Sequence, residues 1–224
     1  MLKASEFLVV ILLGCVPFSA LAQDSSTQFR PELDLYVGLP SSARLVFVAK
    51  TQNGRGDFAF YYELPLKPVL RRELRHRVDV LRNRYLVIRP GYQRSTSTSH
   101  SGPENRGIVE VTGRYPLPFG FVLVDRNRGE FRVIEGSPFS MRYRNRLWLE
   151  RDMKIAGLVC TPYVYGELFY DTRSGSWAPF RYVLGLQIPT GPHIVLEPYA
   201  LRQNGGRSNP RQITAMGFKF NLYF

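Results

Sequence analysis

Cysteine is scarce here: two in 224 residues, Cys15 and Cys160, so no disulfide framework holds the fold. Histidine is almost as rare, at His76, His100 and His193, which leaves little material for metal clusters or for His-dependent catalysis. Helical periodicity is nearly missing, and no glycine loop of the phosphate-cradling kind occurs. Nor does any apolar run approach the ~20 residues of a spanning helix. The longest run, Phe7 to Val16, lies at the start.

That start reads MLKASEFLVVILLGCVPFSALAQD. Lys3 precedes the short apolar core, and Ala20-Leu21-Ala22 is a small-x-small cleavage site before Gln23. Residues 1–22 are therefore expected to be a secretory signal peptide, and 23–224 a single domain. Leu12-Leu13-Gly14-Cys15 loosely resembles a lipoprotein box, but the Ala-Leu-Ala site sits at the conventional distance from the apolar core. Cleavage would remove one charge of each sign (Lys3 and Glu6) and leave the formal charge at +12, with Cys160 as the sole thiol.

What the chain has in abundance is period-two alternation. Eleven segments, beginning at Glu32, Arg44, Asp57, Arg84, Gly107, Gly120, Pro138, Thr161, Phe180, His193 and Ile213, alternate between turn signals rich in Gly, Pro, Asn and Ser. Leu33, Leu35 and Val37 share one face against Glu32, Asp34 and Tyr36; Tyr143, Leu147 and Leu149 oppose Arg142, Arg144, Arg146, Trp148 and Glu150. A soluble sandwich also alternates. Here, however, the polar face interleaves Arg, Glu and Tyr, which suits a narrow wet interior where charges pair across a barrel. The 13 Tyr and 15 Phe supply aromatic girdles. The expected fold is an all-β, antiparallel up-and-down transmembrane β-barrel. Because bacterial single-chain barrels have even strand numbers, about 12 strands are expected, with 10 as the fallback and the missing strand within Leu66 to Asn83.

The chain ends GFKFNLYF. Phe218, Phe220, Leu222 and Phe224 fall on the apolar face, and Gly217, Lys219, Asn221 and Tyr223 on the polar one. A terminal strand ending in Phe looks like the assembly signal of Gram-negative outer-membrane barrels, which implies recognition by the barrel-assembly machinery. With Phe224 in the periplasm, the Gly191 turn lies there too, and the loops at Asn204, Ser174 and Ser95 lie outside.

The chemistry this pattern offers is electrostatic. Arg126, Arg128, Arg132, Arg142, Arg144 and Arg146 are expected to form a positive wall opposed by Glu130, Glu150, Glu167 and Asp171. Such a cluster either fills and stiffens the barrel through ion pairs or makes a constriction for a small anionic solute. Nucleic acid is not an expected partner, because secretion and burial of arginines in a lumen remove the basic surface from it. The expected partners are outer-membrane lipids and lipopolysaccharide, with the run Arg71 to Arg77 as the densest patch. The competing reading is a membrane-embedded hydrolase of phospholipid or lipopolysaccharide acyl chains, using His100 or His193 (the latter beside Glu197). No spacing matches a nucleophile elbow, and neither a catalytic residue, a cofactor nor a metal site is expected. Cys160, next to Leu158 and Val159, is expected to be buried or lipid-facing. A soluble periplasmic barrel is the third class considered.

The stretches VDRNRGEFR (124–132), SMRYRNRLWLE (140–150), PYVYGELFYD (162–171) and FRPELDLYVGL (29–39) together resemble a family of Gram-negative outer-membrane proteins known only as domain of unknown function 2490. Its marks are an Arg-x-Arg strand followed by an aromatic-rich strand carrying Glu. The segment 66–83 departs from the pattern by being longer and more basic. The resemblance implies barrel shape and outer-membrane location; it implies no activity and no catalytic residues.

Overall fold

A computed structural model describes residues 25–52, 54–66, 78–96, 102–155, 157–204 and 212–224. The expected signal peptide, the basic run at 71–77, His76 and His100 lie outside the described residues. The strands are β1 (Ser25–Gly38), β2 (Arg44–Gln52), β3 (Arg55–Pro65), β4 (Leu86–Ser95), β5 (Glu104–Pro116), β6 (Phe121–Ile134), β7 (Ser140–Arg151), β8 (Met153–Ile155), β9 (Leu158–Asp171), β10 (Ser176–Pro189), β11 (Ile194–Asn204) and β12 (Gln212–Tyr223). β-Branched and aromatic residues fill their outward positions, as a pleated, half-covered surface favours. Tight turns stop them: at the β9–β10 turn Gly175 takes φ 58°, and its N–H and that of Ser174 both bond the Asp171 carbonyl.

Each strand pairs antiparallel with the next, β9 following β7 in the wall while β8 is a short edge piece paired only to β9. The sheet closes by pairing β1 with β12 in parallel, from Ser25–Gln212 to Tyr36–Tyr223. The last residue joins this seam: Phe224 N–H donates to the Tyr36 carbonyl at 2.8 Å, and Gly38 N–H donates to the Phe224 carbonyl at 2.7 Å.

The wall therefore has eleven strands, not the expected twelve. The parity argument assumed that every neighbour is antiparallel. In an odd up-and-down barrel the first and last strands point the same way, and a parallel ladder still satisfies their backbone groups. The segment expected to hold the missing strand holds none among its described residues. Val80–Asn83 is a short 3-10 turn with Leu81, Arg82 and Asn83 buried.

Alternation sorts the side chains as the sequence suggested. Glu104, Glu130 and Glu167 are essentially inaccessible inside, while Phe29, Phe47, Phe58, Leu147, Val164 and Phe220 are 43–67% exposed outside. Phe218, Phe220, Leu222 and Phe224 are on the outer side, with Phe224 69% exposed, and Lys219, Asn221 and Tyr223 on the inner one. The connection at Gly191 shares one end of the barrel with Phe224. Those following Ser95, Asp171 and Asn204 share the other, as the strand order requires.

Inward glycines make room for rings. Tyr61, Tyr163 and Tyr199 lie directly across from Gly91, Gly185 and Gly217 on the neighbouring strand. A Cβ on any of these glycines would stand 2.0–2.3 Å from the facing ring. These ring-on-glycine joints narrow the lumen without moving the strands apart.

Candidate functional site

Strands β5 to β10 bring their inward positions into one network. Glu167 of β9 is its hub: guanidiniums of Arg126, Arg144, Arg146 and Arg181 reach it at 3.2, 3.0, 3.2 and 3.1 Å. Glu130 of β6 is the second, shared by Arg106, Arg128, Arg142 and Arg144 within 4.0 Å. Nearer the end opposite Phe224, Glu104 takes Arg55, Arg106 and Arg132, and Asp171 takes Arg132 and Arg142. Sharing is what allows so many guanidiniums to lie side by side. Each arginine fork can serve two carboxylates, so a like-charged row on β6 and β7 is held together from behind. Aromatic faces add to this, with Arg146 3.9 Å above the Tyr165 ring centre and Arg89 4.1 Å above that of Tyr61.

The end near Phe224 is occupied by the turn that precedes β4. Arg82 bonds Glu150 and lies over Trp148, while Asp79 accepts from Arg44 at 2.6 Å and from the Tyr223 hydroxyl at 3.3 Å. Arg44 also bonds Glu63. Burial alone would lower the pKa of the Arg82 guanidinium, but Glu150 and Asp79 outweigh it and raise it above the ordinary arginine value. The segment is thus clamped across the lumen by charge pairs to β2 and β7 and by a hydrogen bond from β12.

On the facing wall the groups are fewer. Lys219 meets Glu32 at 2.9 Å; Glu197 accepts from the Tyr163 hydroxyl at 2.6 Å and from Gln187 at 3.0 Å. Arg30, buried, bonds Gln28 rather than a carboxylate among the described residues. Between the walls is a cavity of about 240 Å³. Twelve Arg and Lys side chains line it against seven Asp and Glu. Adding Asp57, Glu130 and Glu167, which pair with lining cations from just behind its surface, makes ten acids to twelve cations among the described residues.

All ten residues expected in the charge cluster face the lumen. Arg126, Arg128, Glu130, Arg132, Arg142, Arg144, Arg146, Glu167 and Asp171 join one network, whereas Glu150 belongs to the Arg82 clamp at the far end. Sequence reasoning missed Glu104, Glu110 and Arg181, which strand alternation could have placed inward. It also missed Asp79 and Arg82, for which no periodic signal exists. His193 Nδ1–H donates to the Tyr223 carbonyl at 2.7 Å and the ring stacks on Phe224, so it is at the barrel rim. Cys160 is buried. Among the described residues no group of His, Cys, Asp and Glu is arranged to hold a metal ion.

Polar inside and apolar outside, with every wall strand paired on both edges, this is a closed β-barrel laid out like those of outer membranes. The chain belongs to the family described as "Protein of unknown function (DUF2490)", whose model matches residues 44–214. Among solved structures it is similar to the β domain of the Bordetella autotransporter BrkA. That likeness has 12% identity over 79% of this chain and 78% of that one, with a TM-score of 0.43. A search of curated proteins finds no match.

Proposed function

We propose that this protein is an outer-membrane barrel whose lumen is a closed, cation-rich chamber that binds a small anion, and not a pore for free diffusion. The observation that carries this reading is the imbalance around the cavity, twelve cations to ten acids among the described residues. Surplus positive charge buried in a narrow interior is costly unless a counter-ion neutralises it or ordered water solvates it. Guanidinium forks are well shaped for phosphate or carboxylate oxygens. Free diffusion is disfavoured on two counts: barrels this small are filled by side chains, and the Asp79–Arg82 clamp crosses one end. In this reading Phe218, Phe220, Leu222 and Phe224 present the terminal strand to the assembly machinery, and the outer face contacts lipid and lipopolysaccharide.

The test uses Trp148, which lies against Tyr163 inside the lumen, as reporter, after Trp177→Phe removes the exposed tryptophan. Titration of the detergent-solubilised protein with inorganic phosphate is expected to give a saturable change in its fluorescence, abolished in Arg126→Gln/Arg146→Gln. Planar-bilayer recordings are expected to show no steady conductance. A large, unselective open-channel current, or no response of Trp148 to any anion, would refute the proposal.

A further inference from the structure

The outer face carries one group of side chains that the barrel itself does not explain. Midway along β6 and β7, Asp125, Asn127, Asn145 and Tyr143 point outward and bond one another. Asn145 Nδ2 donates to Asp125 at 2.8 Å and to Asn127 Oδ1 at 3.1 Å; Asn127 Nδ2 donates to Asp125 at 3.1 Å; and the Tyr143 hydroxyl donates to Asn127 Oδ1. Their surroundings are apolar. Val109, Val111, Leu147 and Leu168, on β5, β7 and β9, are 36–50% exposed around them. In the membrane reading, on which this inference rests, a carboxylate and two amides at mid-strand would face hydrocarbon, where polar groups on the outer face of a barrel are destabilising.

The hydrogen-bond count points to what covers them. Within the group both Nδ2 hydrogens of Asn145 are used, but its Oδ1 accepts nothing among the described residues. Asn127 uses both its acceptor and one Nδ2 hydrogen, leaving the other free. One donor and one acceptor remain, on residues directly paired across β6 and β7. All three of Asp125, Asn127 and Asn145 are half-buried, so the group is reachable from outside. Lipid chains supply neither partner. A second copy related by a two-fold axis supplies both at once, because Asn127 of each protomer can donate to Asn145 of the other. The surface also allows close approach: Gly129, beside Tyr143 in register, has no atom within 4 Å of where a Cβ would stand.

We infer that this face is a homodimer seam within the membrane, with a reciprocal Asn127–Asn145 pair at its centre and Val109, Val111, Leu147 and Leu168 packed around it. The test is made on the full chain in native outer membranes. Leu147→Cys, near the axis, is expected to cross-link to a second copy under mild oxidation. Phe47→Cys, on the opposite part of the wall, and the unmodified chain, whose Cys160 is buried, are not. In detergent, the unmodified protein is expected to sediment as a dimer and Asp125→Leu/Asn127→Leu/Asn145→Leu as a monomer with an unchanged far-ultraviolet circular dichroism spectrum. A chain found in membranes but monomeric and uncross-linked at Leu147→Cys overturns the seam alone, as does cross-linking of that cysteine to a different protein. A chain recovered in the soluble fraction overturns the membrane reading and the seam with it.

Discussion

Two buried glutamates, each surrounded by four guanidiniums, offer a sharp test of how the lumen is held together. Replacing Glu167 with Gln removes the one carboxylate within reach of Arg146 and Arg181 among the described residues. Arg126 keeps Glu110, and Arg144 keeps Glu130. Two arginines are then buried without a counter-charge. Breaking a buried pair by removing one partner costs roughly 3–5 kcal/mol, because the survivor stays desolvated and unpaired. Replacing Glu130 removes an equally buried carboxylate with the same number of neighbours. Yet Arg106 retains Glu104, Arg128 retains Glu110, Arg142 retains Asp171 and Arg144 retains Glu167. No arginine is stranded, so the loss is that of hydrogen bonds to a charged group, about 1.5–3 kcal/mol. Urea unfolding of the two variants in the same detergent, followed by loss of the folded band's gel mobility, is expected to place Glu167→Gln clearly below Glu130→Gln. Adding Arg181→Gln to Glu167→Gln should recover part of the deficit, since it removes one stranded charge. Equal midpoints, or Glu130→Gln as the weaker protein, would refute the idea that the sharing pattern rather than the local charge density sets the cost.

Gly217→Ala drives a methyl into the Tyr199 ring and is expected to lower stability by about 1–3 kcal/mol, as overpacking does; Gly191→Ala, with open space around it, should be neutral in the same urea titration. Asp79→Asn combined with Arg82→Gln breaks the clamp to Arg44 and Glu150, and bilayer recordings are expected to show ion flux that the unmodified protein lacks. Deleting Phe224 removes both hydrogen bonds that join it to β1, so the fraction of chain reaching the folded, urea-resistant form in the outer membrane is expected to fall while synthesis is unchanged.

Much of the barrel could be read directly from period two. All eleven wall strands correspond to alternating segments of the sequence, and the inward Arg and Glu positions followed from the same parity. The eleven segments also matched the strand number; the expectation of twelve came from the even-number rule, and alternation carries no information about whether the closing pair runs parallel. The place of 79–83 was equally illegible. Its buried Asp79 and Arg82 have partners 35 and 68 residues away along the chain, and nothing local marks that contact.

Local alternation was thus enough to assign each side chain of a strand to the wet or the greasy side, since a pleated strand leaves it only two choices. Closure with a parallel seam, the sharing of each carboxylate among several arginines, and the outward amide pair of Asn127 and Asn145 were decided only in three dimensions. They depend on which strands become neighbours and in what register, and that is a property of the closed sheet as a whole.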